Sequence, residues 1–167
     1  TIGWITSSAN PIGFSMECSF MLPKEVYTTE NKQLNDAKTF SLFGTHNISA
    51  PATYTWAGTD NNFYVYSRKQ GTDSIFYLSS SMLSTQLTSS TFENTFNNDQ
   101  WTMNVQVYNS KLVGEDYYIK FTGVRPITDE LYDSFELSGS VSGNFLKTGL
   151  RSIFAGAHRQ DFDGSVL

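Results

Sequence analysis

Between Trp101 and Tyr108 the chain alternates without a break: Trp101, Met103, Val105 and Val107 are apolar, and Thr102, Asn104 and Gln106 are polar. A period of two places the four apolar side chains on one face of an extended strand and leaves the other face wet. A helix would scatter them around its circumference. Trp101 brings the largest apolar surface to the buried face. A strand of this kind is stable only when another layer covers its apolar face.

The same alternation recurs in Phe14–Leu22. Phe14, Met16, Cys18, Phe20 and Leu22 share one face, Ser15, Glu17 and Ser19 the other, and Pro23 closes the segment because it cannot donate to a ladder. The expectation is that this face and that of Trp101, Met103, Val105 and Val107 look into one core. Thr39–Gly44 reads as a short strand ending at its glycine. Residues 61–68 read as another, with Phe63 and Val65 inward and Tyr64 and Tyr66 outward. Gln70-Gly-Thr-Asp73 carries turn residues, and Ser74–Leu78 returns as the hairpin partner. Residues 79–99 form a Ser/Thr/Asn-rich connection holding one irregular strand and a turn at Asn97–Asp99. Tyr117, Ile119 and Phe121 make a strand ended by Gly123, Phe135 and Leu137 precede Gly139, Leu150–Ala155 is a late strand, and Gly164–Leu167 begins another. Lys24–Lys38 reads as a long loop, and Asp129–Tyr132 is the one candidate helical turn of the second half. About eight to twelve short strands without a useful amphipathic helix predict an all-β fold, an antiparallel two-sheet jelly-roll sandwich, with residues 1–167 as one domain.

Composition narrows the function. Charged residues are 16% of the chain and the net charge is −5 with scattered lysines and arginines, so a nucleic-acid partner, which needs a basic stripe, is not expected. No run of apolar residues is long enough to span a membrane as a helix. Cys18 is the one cysteine, so no intrachain disulfide forms, and its place on the apolar face predicts a core thiol. The chain begins at Thr1 without a signal peptide, which is the expectation for a processed protein or a piece of a longer one.

Several segments, taken in order, resemble the laminin-G-like branch of the concanavalin A-like jelly rolls. Phe14-Ser-Met-Glu-Cys-Ser-Phe20 resembles the opening strand, Phe40-Ser-Leu-Phe-Gly44 the "x-L-F" strand that follows, and Trp101–Tyr108 the central "W-x-x-V-x-V" strand. The stretch Ile153–Leu167, with Phe162-Asp-Gly164, resembles the "F-x-G" ending, and its Gly-Ala-His-Arg variant is reminiscent of modules in phage and virus structural proteins. The family's ending runs on past this point, which leaves open a shortened last strand or a longer protein. The resemblance implies terminal segments brought together, with Gly164–Leu167 beside Phe14–Leu22 and an open sheet edge there for a neighbouring chain.

Two groups of residues are candidate sites. Tyr54, Trp56, Tyr64 and Tyr66 can stack on sugar rings, as in lectin-like sandwiches; the plainer reading is that a second sheet, a loop or a neighbouring subunit covers them. Asp161 and Asp163, beside His158 and Arg159, can present oxygens to Ca²⁺; the plainer reading is that they shape the turn into Gly164. Laminin-G-like modules often hold Ca²⁺ at a sheet rim, although none of their ligand positions maps onto this sequence. His46 and His158 lack a second histidine at metal spacing, and no Glu-x-Asp-x-x-Glu run of the jelly-roll glucanases occurs. Asn47-Ile-Ser49 is a glycosylation tripeptide relevant only on a eukaryotic secretory route. The expectation is a non-catalytic recognition or assembly module, needing no cofactor, on a virion or extracellular surface, with protein partners or a glycan. A lectin-like domain is the first alternative and a polysaccharide-cleaving enzyme the more distant one.

Overall fold

In a computed structural model, which describes residues 13–24, 39–47, 63–80, 83–109, 117–128, 131–141, 151–156 and 165–166, the alternating segments pair into two sheets. Strand β1 (Gly13–Leu22) pairs with β6 (Asp99–Asn109), which pairs with β7 (Tyr117–Pro126), then β8 (Tyr132–Val141). The second sheet runs from β2 (Thr39–Asn47) through β3 (Phe63–Gln70) and β4 (Asp73–Ser80) to β5 (Leu87–Phe92). Among the described residues the fold is an all-β sandwich whose strand order is compatible with a jelly roll.

The register of the first sheet follows from the apolar alternation. Phe14 lies opposite Val107, Met16 opposite Val105, Cys18 opposite Met103 and Phe20 opposite Trp101. Cross-strand partners share a face, so both apolar sets look into the space between the sheets. Trp101, Met103, Val105 and Val107 are buried, whereas Met16, Cys18 and Phe20 on the edge strand are half-buried and pack against the core. The Phe14 side chain lies outside what is described. Cys18 is therefore a rim thiol rather than a fully enclosed one, and its partial burial still raises its pKa. From the second sheet Phe63, Val65, Phe76 and Leu78 meet this face. Trp101 sits in an aromatic group, with its ring centroid 4.7 Å from that of Phe76 and 5.1 Å from that of Phe92, both edge-on.

Three glycines that read as strand ends lie inside strands. β2 continues past Gly44, β7 past Gly123 and β8 past Gly139. In each case a large side chain from a neighbouring strand or loop occupies the space a Cβ would need: the Phe154 ring over Gly44, the Phe135 ring over Gly123 and Leu83 over Gly139. Such glycines make room for close packing rather than ending pairing. At Gly44 a Cβ would also stand 2.4 Å from the Phe63 carbonyl oxygen. Gly44→Ala is thus expected to destabilise the fold by about 1–3 kcal/mol, the cost of overpacking. In open space the same change stabilises by about 0.5–1 kcal/mol. Urea unfolding reads the sign, and a gain would refute the packing described.

The outer edge of β2 is shared by two late segments. β9 (Arg151–Ala155) pairs with it antiparallel, Gly44 opposite Phe154, and β10 (Ser165–Val166) pairs parallel with Phe40 and Ser41. The late segment thus docks on β2 in the second sheet, not beside β1 as the resemblance implies, and among the described residues this pairing alone is parallel. The turn Gly71–Thr72 closes the β3–β4 hairpin with Gly71 at φ +63°.

Candidate functional site

On β6, β7 and β8 the inward register runs Trp101–Met103–Val105–Val107, Tyr117–Ile119–Phe121–Gly123 and Phe135–Leu137. At one end of the sandwich each of these columns terminates in a charged residue: Asp99, Arg125 and Asp133. Arg125 lies directly opposite Asp133, and one step beyond the Thr102–Val124 pair it reaches Trp101. Its guanidinium carbon stands 5.5 Å from the Trp101 ring centroid. Arg125 is only 6% exposed. Its Nη1 donates to Asp99 Oδ2 at 2.7 Å, Nε to Asp133 Oδ2 at 3.1 Å, and Nη2 both to Asp133 Oδ2 and to the Glu93 carbonyl oxygen at 3.0 Å. A buried guanidinium requires this many acceptors. The arrangement seals the aromatic core with a cation held between two carboxylates.

The opposite wall is the β5–β6 connection. Asn94 and Asn98 adopt positive φ of 52° and 64°, a conformation asparagine tolerates better than most residues. The Asn94 N–H donates to Asp73 Oδ1 at 2.9 Å. The Asn98 N–H donates to the Leu22 carbonyl at 2.9 Å, and Asn98 Oδ1 accepts from the Lys24 N–H at 2.9 Å. Phe96 is buried beneath Lys69, whose Nζ lies 5.5 Å from its ring centroid. Between this loop and the end of β7 opens a cleft of about 700 Å³, lined by Glu93, Asn94, Asp99, Arg125, Ile127 and Asp133 among others.

Beside the cleft the β7–β8 tip exposes apolar side chains. Of seven exposed large apolar residues among those described, Val124, Ile127, Leu131 and Tyr132 lie on this hairpin, and Met21 lies at the same end of the sheet's outer face, two strands from Val124. Leu131 is 57% and Tyr132 63% exposed. The tip holds its shape through the Ile127 and Thr128 N–H groups, which both donate to the Leu131 carbonyl. Tyr132 already belongs to β8, so the helical turn expected over 129–132 does not extend to it; residues 129–130 lie outside the described residues.

Of the aromatic candidates, Tyr64 and Tyr66 are half-buried on the outer face of β3, as their alternation predicts. Tyr66 stacks on Tyr77 with centroids 4.9 Å apart and planes at 11°, and its hydroxyl hydrogen-bonds Gln86. Burial, then the neighbouring Tyr77, raises the Tyr66 pKa. The Tyr64 ring lies 6.1 Å from that of Phe154. Tyr54, Trp56, His158, Arg159, Asp161 and Asp163 lie outside the described residues. Among the described residues no cluster of three or more His, Cys, Asp or Glu side chains can hold a metal ion.

Sequence reading missed the Asp99–Arg125–Asp133 group because its members are dispersed along the chain. The signal was nevertheless present: continuing the odd-numbered register of β7 past Gly123 puts an arginine at an inward position, and an inward charge needs a partner. The chain matches no protein-family model, no curated protein and no solved structure.

Proposed function

We propose that this domain is a non-catalytic recognition or assembly module, similar to a laminin-G-like jelly-roll domain of a viral or phage structural protein and displayed on a virion or extracellular surface. One observation carries the reading: among the described residues, five of the seven exposed large apolar side chains, all but Tyr108 and Ile153, lie at one corner, the β7–β8 hairpin and the adjoining end of the sheet. Scattered apolar residues are ordinary on a protein surface, whereas a contiguous group next to a cleft marks a contact surface. The buried cation there is held by two carboxylates and a backbone carbonyl, which suits a structural plug better than proton transfer. A photo-crosslinking side chain at position 132, in the protein's native assembly, is expected to give adducts with polypeptide, and one at Ser138 on the same sheet face few. Equal yields, or none from position 132, would count against the corner as the contact surface. Hydrolysis of a polysaccharide by the purified chain, lost on changing one carboxylate, would overturn the non-catalytic reading.

The Tyr66–Tyr77 stack favours a second reading, as a carbohydrate-binding lectin-like domain, because a flat aromatic pair on a sheet face suits a sugar ring. Saturable binding on a glycan array, abolished by Tyr77→Ala, would select it.

A further inference from the structure

We infer that the corner formed by the β7–β8 tip and its cleft receives a protein segment in which a basic residue is flanked by apolar ones; this inference rests on the reading of the domain as a recognition module. The apolar half of the argument is continuity. Ile127 and Pro126 line the cleft, while Ile127, Leu131 and Tyr132 stand exposed at the tip, so one ligand can span both. The charged half is complementarity. Glu93, Asp99 and Asp133 line the cleft against a single cationic lining residue, Arg125. Both aspartates give the same oxygen, Oδ2, to Arg125, and each side chain remains about a third exposed. Their Oδ1 atoms and the Glu93 carboxylate have no protein donor among the described residues. Three carboxylates against one guanidinium leave an excess of negative charge beside an apolar surface. A partner gains by bringing a lysine or arginine there with aliphatic or aromatic neighbours.

The same charges disfavour other occupants. A second copy meeting this one about a two-fold axis sets like surfaces face to face, and each chain carries a net charge of −5. Nucleic acid and anionic lipid are repelled for the same reason.

The test selects short random peptides displayed on phage against the full chain. The winners are then titrated as labelled peptides against wild type, Tyr132→Ser and Glu93→Lys, with sedimentation run in parallel. Both substituted residues are exposed, so the fold is retained. The expected winners combine Arg or Lys with Leu, Ile, Phe or Trp, weaken about tenfold with either substitution, and weaken further as salt is raised. Acidic or uncharged winners, or affinities indifferent to Glu93→Lys, overturn the basic partner; if they still depend on Tyr132, the recognition reading stands. A concentration-dependent dimer lost in Tyr132→Ser also overturns the inference while keeping that reading, with a second copy as occupant. Winners indifferent to both substitutions, or no winners, overturn the inference and the corner as a recognition surface together.

Discussion

Trp101→Ala is expected to lower the free energy of unfolding by about 3–5 kcal/mol, the usual range for removing a buried large aromatic. The indole is completely enclosed, in edge contact with Phe76 and Phe92 and under the Arg125 guanidinium. Its neighbours come from both sheets, so no single strand can shift to fill the hole. The companion variant is more diagnostic. Among the described residues the buried Trp101 Nε1 finds no acceptor, and an unmet donor of this kind costs about 1–3 kcal/mol. Trp101→Phe removes that penalty along with part of the ring, so its net cost should stay below about 2 kcal/mol. Urea unfolding followed by far-UV circular dichroism measures both. A cost below about 1 kcal/mol for the alanine variant would contradict the central place given to this residue.

Arg125→Met should cost about 2–4 kcal/mol, somewhat less than breaking a fully buried ion pair. Methionine fills much the same volume, so the loss comes from the stranded partners rather than a cavity. Asp99 and Asp133 would face an apolar end-plug with their strongest donor gone, and the Glu93 carbonyl would lose a donor as well. Because each aspartate is about a third exposed, water takes over part of the role, which sets the lower end of the range. The combination Arg125→Met with Asp99→Asn and Asp133→Asn should recover most of the loss, since the penalty belongs to uncompensated charge. If the triple variant is instead much less stable than the single one, the guanidinium is not what balances these carboxylates.

The layers of the sandwich were legible because alternation is a local property. Phe14–Leu22 and Trp101–Val107 each specify a face, and pairing Phe20 with Trp101 satisfies both at once. Strand ends were harder to read. Gly44, Gly123 and Gly139 each looked like a stop, because glycine weakens a strand interior when nothing else is known. What overrides that preference is Phe154, Phe135 or Leu83 lying across the glycine, a contact with a segment distant along the chain for the first and third. The Arg125 group was hidden for the same reason: it belongs to three strand ends that only the assembled sheet brings to one level. Tyr64 and Tyr66 could be placed on the outer face from their own neighbours, but the Tyr66–Tyr77 stack required the β3–β4 register.

The shared edge of β2 sets an order on biosynthesis. During translation β2 and its partner β3 emerge early, and the hairpin with β4 forms from near neighbours. Among the described residues the other side of β2, from Phe40 to Asn47, is closed by β9 and β10, which are translated after the strands of both sheets. Until then its backbone donors and acceptors stand bare beside Phe40, Leu42 and Phe43, residues enclosed in the finished fold. A nascent chain stalled before Arg151 would present an unpaired, apolar-flanked edge to any extended polypeptide nearby, including other copies on the same polysome.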